Sequence, residues 1–120
     1  MSAANKRKGS LYESALENYY NDQGFKARRL PRAGAKDIGD VAIEITDLVV
    51  VVEAKDVKAH AYHEWLRQAG VEAENYEEKY KSPTIGVVAR KNRNHSVGSS
   101  HIMMTNETFI ALLRMIGARP

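Results

Sequence analysis

The residues from Ile38 to Asp56 read IGDVAIEITDLVVVVEAKD and are the most informative about the fold. Its two apolar segments, DVAIEI and LVVVVEAK, are rich in β-branched residues and predict two β-strands. A tight turn at residues 46–47 joins them, and a two-residue loop there places Asp40 directly opposite Glu53. The stretch therefore predicts a hairpin that ends in two facing carboxylates.

Two facing carboxylates repel each other, because directly opposed Cβ atoms lie about 4.5–5.5 Å apart. Lys55 lies two residues beyond Glu53 and so points to the same face. The repulsion is relieved if one carboxyl takes up a proton, if Lys55 compensates the charge, or if a divalent cation such as Mg²⁺ lies between Asp40 and Glu53. A plainer alternative is a charged hairpin end in which Lys55 forms a salt bridge.

The residues before the hairpin predict a helix, an edge strand and a loop. Residues 1–9 are expected to form a flexible basic arm, and residues 10–120 a single domain. SLYESALENYYNDQG places apolar side chains on one helical face, with Ser10 as the N-cap and Gly24 at the end. FKARRL alternates apolar and basic residues like an edge strand, and PRAGAKDIG is typical of a loop.

The residues after the hairpin complete an α/β pattern. AHAYHEWLRQAGVEAENYEEKYK has an apolar stripe at helical spacing, and Pro83 follows it. TIGVVAR predicts a buried strand, HIMM a short one, and TNETFIALLRMIG a helix capped by Thr105 or Asn106 and ended at Gly117. The order α-β-β-β-α-β-(β)-α predicts a mixed sheet covered by helices on both faces.

Composition excludes several classes of protein. None of the apolar runs reaches the ~18 residues of a membrane span, and the first residues have no apolar segment of a secretory signal. The chain has no cysteine, which excludes disulfides, thiol nucleophiles and cysteine-based zinc sites. The four histidines, His60, His63, His95 and His101, lack the H-E-x-x-H spacing, so we expect no zinc site.

The charges are unevenly distributed along a chain whose formal net charge is +3. Basic residues gather between Lys6 and Lys36 and again from Arg90 to Arg93, whereas acids gather in VEAENYEEKY. This distribution favours a surface with one anion-binding side. Ordinary solvated charge is the alternative, and composition alone favours it slightly.

Glu13 has two interpretations in the first helix. SLYE matches the capping box, in which Glu13 would bind back to Ser10. Glu13 also lies just past the edge of the apolar face, from where it reaches toward the mouth of the hairpin. From the helix alone, capping is favoured, and Glu17, further round the helix, is expected to be a solvated acid.

With Asp40, Glu53 and Lys55 in this pattern, the chain resembles the PD-(D/E)xK nuclease superfamily of restriction-endonuclease-like fold. Within it, the resemblance is closest to archaeal-type and phage Holliday junction resolvases. The matching stretches are RKGSLYESAL, GFKARRLPRAG, IGDVAI and VVVEAK, and the second half of the chain matches more loosely. In those resolvases a helix that begins with Lys-Gly carries a glutamate four residues after the glycine, which is Glu13 here. The chain departs from the motif at Gly39, where the superfamily has proline.

The resemblance implies a homodimeric endonuclease that resolves four-way DNA junctions and depends on Mg²⁺, with Mn²⁺ as the expected substitute. It makes Glu13, Asp40 and Glu53 the expected metal ligands and part of the catalytic site, with Lys55 as the catalytic lysine. We expect a cytoplasmic protein at the nucleoid, or in the host cytoplasm if the protein is viral. Gln68 and Glu17 are further site candidates. The expected DNA contacts are Lys6, Arg7, Lys8, Arg29, Arg32, Lys36, Arg90, Lys91 and Arg93.

Two other functions stay open at this point. The first is a repair or restriction-like nuclease of the same superfamily that acts on linear DNA. The second is a DNA-binding module without catalysis on the same scaffold. The close carboxylates argue against the second, because they repel phosphate unless a cation lies between them.

Overall fold

A mixed sheet of five strands forms the centre of the protein. The structure, a computed structural model, describes residues 2–32 and 36–117. The elements are α1 (Ala3–Asp22), β1 (Lys26–Arg29), β2 (Val41–Ile45), β3 (Leu48–Lys55), α2 (Tyr62–Tyr80), β4 (Thr84–Arg90), a 3₁₀ turn (Val97–Ser99), β5 (His101–Met103) and α3 (Asn106–Met115). The strands lie in the order β1-β2-β3-β4-β5, with β3 and β4 parallel and the other neighbouring strands antiparallel. This confirms the predicted α/β class and element order.

The hairpin of β2 and β3 has the predicted register. Ile45 pairs with Leu48, and Val41 pairs with Val52. The backbone N–H of Asp40 continues this pattern, since it donates to the carbonyl of Val52 at 3.1 Å. The carboxylate of Asp40 is therefore held beside the end of β3 by backbone hydrogen bonds.

Helices cover the two faces of the sheet. On one face, Tyr12 and Leu16 of α1 are buried against Val41 and Val52. On the other face, Tyr76 of α2 packs with residues of β2 and β3, namely Ala42, Val49 and Val51. Because side chains alternate along a strand, Glu53 and Lys55 share the α2 face with Val49 and Val51.

Gly86 of β4 lets α2 lie directly on the sheet. A Cβ atom at this position would clash with the backbone carbonyl of Ala69 and press on Ala73. Ala69 is itself buried with Trp65 and Val88. The absence of a side chain at Gly86 therefore sets how closely α2 approaches the strands that carry the carboxylates.

Helix α1 begins earlier than the sequence predicted. Ser2 is the N-cap and accepts a hydrogen bond from the backbone N–H of Asn5 at 3.1 Å. Residues 3–9, expected as a flexible arm, form the first turns of the helix, because AANKRK consists mainly of good helix formers that follow a capping serine. Ser10 is therefore an interior residue and not the cap. The division into an arm and a domain of residues 10–120 stays a prediction.

The helix ends agree with the predicted glycine stops. At the end of α1, Gly24 has a φ of +94°, and the N–H of Phe25 donates to the carbonyl of Tyr20, as in a Schellman motif. Thr105 caps α3 by accepting from the N–H of Thr108, and Gly117 follows the helix with a φ of +89°. Within the described ranges, the helices lack the length and apolar character needed to cross a membrane.

Candidate metal and DNA site

Asp40 and Glu53 lie together at the open end of the hairpin, and both are buried. Asp40 Oδ2 accepts a hydrogen bond from the N–H of Ala54 at 2.8 Å. Burial, the negative charge of Glu53 and a side-chain contact with Glu53 raise the pKa of Asp40 to about 7. The two carboxyl groups therefore meet as the register predicted, and their repulsion is not fully compensated.

Lys55 lies against this pair. Its Nζ is 3.3 Å from Glu53 Oε2 and donates to Gln68 Oε1 at 3.1 Å. Gln68 in turn donates from Nε2 to Glu72 Oε2 at 3.2 Å. The structure thus brings Gln68 to the group, where it links Lys55 to a carboxylate of α2.

Glu13 does not cap a helix. It lies inside α1, is 3% exposed, and binds two arginines: its Oε2 accepts from Arg32 Nη2 at 2.9 Å, and its Oε1 accepts from Arg29 Nη2 at 3.4 Å. The same nitrogen of Arg32 lies 3.5 Å from Asp40 Oδ1. Burial, followed by the charge of Asp40, raises the pKa of Glu13. Glu13 and Asp40 therefore share one cationic group, as two ligands of a metal would.

Two further carboxylates at this site, Asp37 and Glu72, were missed by the sequence analysis. Oxygen atoms of Asp37, Glu53 and Glu72 all lie within 4.8 Å of one another. Burial, the charge of Glu53 and contact with Asp37 raise the pKa of Glu72 to about 10. The signal for Glu72 was its position in the apolar stripe of α2, between Ala69 and Tyr76, where a carboxylate is unexpected.

A groove of about 1170 Å³ contains these groups. Several of the basic residues expected to contact DNA line the same groove, and Arg90 and Lys91 line a smaller cavity of about 290 Å³ that shares Arg93 with it. Arg7 is exposed on α1. The structure therefore combines carboxylates with a basic rim. Of the basic residues expected to contact DNA, those that line the large groove are Lys6, Lys8, Arg29, Arg32, Lys36 and Arg93.

Some of these basic residues also have partners inside the protein. Arg90 donates to the hydroxyl of Tyr62 at 2.9 Å and to the carbonyl of Lys58 at 3.1 Å, so it fastens the segment between β3 and α2. Arg93 and Lys91 lie 3.3 Å and 3.8 Å from the carboxylate of Asp56. Their positive charge is therefore partly compensated within the chain.

Glu17 has a structural contact. Its Oε2 accepts a hydrogen bond from the backbone N–H of Arg29 at 2.8 Å, which ties β1 to α1. The sequence analysis expected Glu17 to be a solvated acid, with a place in the site as a further option. Its contact with β1 accounts for a carboxylate at this position without a metal.

Comparison with known proteins identifies a family for the chain. The model of the family described as archaeal Holliday junction resolvase (hjc) matches residues 4–97, a range that includes Glu13, Asp40, Glu53 and Lys55. A solved structure of Hjc, a Holliday junction resolvase from the archaeal hyperthermophile Archaeoglobus fulgidus, is similar at 16% identity and a TM-score of 0.49, covering 91% of this chain and 100% of that one. None of the curated proteins matches the chain. Since the family model covers most of the sequence, the chain belongs to the archaeal Holliday junction resolvase family, whose members are endonucleases for branched DNA.

Proposed function

We propose that this resolvase hydrolyses phosphodiesters of four-way junctions with a divalent cation, Mg²⁺ or Mn²⁺, held by Asp40, Glu53 and Glu13. The observation that supports this most strongly is the pair of buried, facing carboxylates with Lys55 beside them in a groove with basic walls. Buried side chains of like charge seldom lie together unless they have a function, because their repulsion reduces the stability of the fold. A cation removes that repulsion.

The residues present fit such a cation. Mg²⁺ prefers hard oxygen ligands and is commonly held by one or two carboxylates. Burial, followed by the negative charge of Glu53, raises the pKa of Asp40. The Arg32 guanidinium between Glu13 and Asp40 occupies a position suited to a cation. When bound, the metal supplies Lewis-acid chemistry, which polarises a phosphate and lowers the pKa of water.

Lys55 supplies the second part of the chemistry. Glu53 and Gln68 hold its ammonium group in place from two sides. An ammonium fixed in this way orients the attacking water and stabilises the negative charge that develops on the phosphate. The side-chain amide of Gln68 is uncharged and accepts a hydrogen bond from Lys55, so we propose that Gln68 positions Lys55.

The basic rim binds the DNA backbone. Lysine and arginine side chains neutralise phosphates and release counterions, so junction binding weakens as salt rises. Arg32 is 73% exposed in its side chain, which leaves it free to exchange Glu13 for a phosphate. We propose the remaining rim contacts from Lys6, Arg7, Lys8, Arg29, Lys36, Arg90, Lys91 and Arg93.

Two copies of the chain act together, so that paired sites nick opposite strands of the junction. An apolar surface on β5 and α3 supports a protein contact, since no residue of α3 is buried. Its exposed residues are Ile102 of β5, Phe109 and Ile110 of α3, and Ile116 just after α3. Light scattering of the wild type should give a dimer, and Phe109→Lys should give a monomer. Glu107→Lys, on the same helix, is the control. A monomeric wild type at micromolar concentration would contradict the proposal.

We place the dimer in the cytoplasm at the nucleoid, or in the host cytoplasm if the protein is viral.

Cleavage of a labelled four-way junction tests the catalytic assignment. With Mg²⁺, the wild type should make symmetric nicks, and EDTA should abolish them. Asp40→Asn should bind the junction without cutting it. Asp47→Asn is the matched control, because it makes the same change in an exposed residue at the opposite end of the hairpin.

Two outcomes of the cleavage assay would contradict the proposed function. Equal cutting by the wild type and Asp40→Asn would overturn the site assignment. Failure of both Mg²⁺ and Mn²⁺ to support cleavage would favour a DNA-binding module without catalysis. Competition with linear duplex in the same assay measures how strongly the enzyme prefers the junction.

A further inference from the structure

A second group of carboxylates adjoins the proposed metal position. It consists of Asp37 in the segment before β2, Glu53 on β3 and Glu72 on α2, whose oxygen atoms lie within 4.8 Å of one another. The group does not include Asp40 or Glu13, the other two proposed ligands. Glu53 therefore belongs to two neighbouring sets of acids, one on each side of its carboxylate.

Glu72 is the unusual member of this group. It is 1% exposed, and its Oε2 accepts from Gln68, but within residues 2–32 and 36–117 no donor reaches its Oε1. A buried oxygen without a partner is costly, and native structures generally supply one from a protein group, a water or an ion. One carboxylate oxygen of Glu72 lies within 4.8 Å of oxygens of Asp37 and Glu53, so its carboxyl group points into the cluster.

The local charge is also unbalanced. Among the described residues, the only ion-pair partner of these three acids is Lys55, which lies beside Glu53. Asp37 accepts a hydrogen bond from the backbone N–H of Gly39 at 3.0 Å, which carries no charge. By contrast, Glu13 and Asp40 contact the guanidinium of Arg32.

We propose that Asp37, Glu53 and Glu72 hold a second divalent cation, which shares Glu53 with the cation at Asp40 and Glu13. In octahedral Mg²⁺ sites with Mg²⁺–oxygen distances of about 2.0–2.1 Å, adjacent ligands lie about 2.9 Å apart and opposite ligands about 4.2 Å apart, so the three oxygens, now within 4.8 Å of one another, move inward to bind one ion. Two cations that share a carboxylate can stabilise both the attacking and the leaving oxygen of a phosphodiester. The proposal deepens the proposed function and rests on it only through the shared Glu53.

Metal titration without DNA tests this proposal. Calorimetry, or the electron paramagnetic resonance of free Mn²⁺, should count two ions per chain for the wild type. Glu72→Gln and Asp37→Asn should each bind one ion fewer, and so should Asp40→Asn. Glu74→Gln is the matched control, since it removes an exposed carboxylate from the same helix, and it should keep both ions.

The outcomes separate the two proposals. If Glu72→Gln keeps the stoichiometry and affinity of the wild type, the second position is overturned. If the wild type binds one ion that Glu72→Gln loses and Asp40→Asn retains, the Glu72 position is supported and the metal assignment at Asp40 fails. Glutamine has nearly the shape of glutamate, and Asp37 is exposed, so both variants should fold. Circular dichroism checks this before titration.

Discussion

Two acidic groups meet at Glu53, and they differ in how their charge is balanced. On the side of Asp40 and Glu13, Arg32 already contacts both carboxylates, and Arg29 contacts Glu13. On the side of Asp37 and Glu72, the described residues provide no arginine contact, and Glu72 is the more deeply buried acid. A metal in the first group would displace an arginine, whereas the metal proposed for the second group would lie among acids whose ion-pair partner in the described residues is Lys55, beside Glu53. The two positions should therefore respond differently to the loss of a neighbouring charge.

Loss of Lys55 should give the largest effect. Lys55→Ala removes the ammonium that both Glu53 and Gln68 hold. We expect junction cleavage to slow by about 10²–10³-fold, the usual effect of losing one group that stabilises charge in the transition state. Single-turnover cleavage measures the rate, and a binding assay should show a nearly unchanged affinity for the junction. Lys79→Ala, an exposed change on α2, is the control, and an equal loss of rate in that variant would contradict a specific role for Lys55.

Glu72→Gln should stabilise the metal-free protein. The pKa of Glu72 is about 10 in the folded protein against an ordinary value of 4.5, so the folded state keeps a proton that the unfolded chain releases. The stability of the wild type therefore falls as the pH rises between these values, whereas glutamine has no proton to lose. The gain should be small at pH 5 and about 1–2 kcal/mol at pH 8 in EDTA.

Thermal unfolding at the two pH values measures this gain. Glu74→Gln should show no such trend. Saturating Mg²⁺ should reduce the advantage of Glu72→Gln, because a metal that binds only the folded wild type stabilises it. If Glu72→Gln gains equal stability at pH 5 and pH 8, ionisation of Glu72 is not what destabilises the wild type at high pH.

Arg32→Gln should give the smallest effect, and only on the other side of Glu53. Without the guanidinium, a metal at Asp40 and Glu13 no longer competes with an arginine. Because exposed ion pairs are worth about 1 kcal/mol or less, we expect Mn²⁺ to bind there up to about fivefold more tightly. Titration of Arg32→Gln in the Glu72→Gln background isolates this position. Arg67→Gln, which breaks an exposed pair on α2, is the control, and weaker metal binding in Arg32→Gln would argue against the competition.

The sequence predicted the Asp40 side of the site better than the Glu72 side, for a physical reason. Alternation along the strands and a two-residue turn are local, so the pairing of Val41 with Val52 and the meeting of Asp40 with Glu53 followed from the residues alone. The role of Glu13 was ambiguous from the sequence, because a helix that starts at Ser10 would make Glu13 part of its cap. The helix starts earlier, with Ser2 as the N-cap, so Glu13 does not form a cap. Glu72 meets Glu53 only through the packing of α2 on the sheet. No local pattern encodes that contact, although a carboxylate within an apolar stripe signals it.

Gly86 has a consequence for how tolerance to mutation should be interpreted in this family. It has no functional group, yet its missing side chain admits the backbone of α2 at Ala69, one turn before Glu72. Any larger residue there would move α2 outward and carry Glu72 and Gln68 away from Glu53 and Lys55. In a survey of all single substitutions scored by nuclease activity, Gly86 should therefore appear as intolerant as the acids themselves. Intolerance at such a position reports the distance between a helix and a sheet, and not the presence of a reactive group.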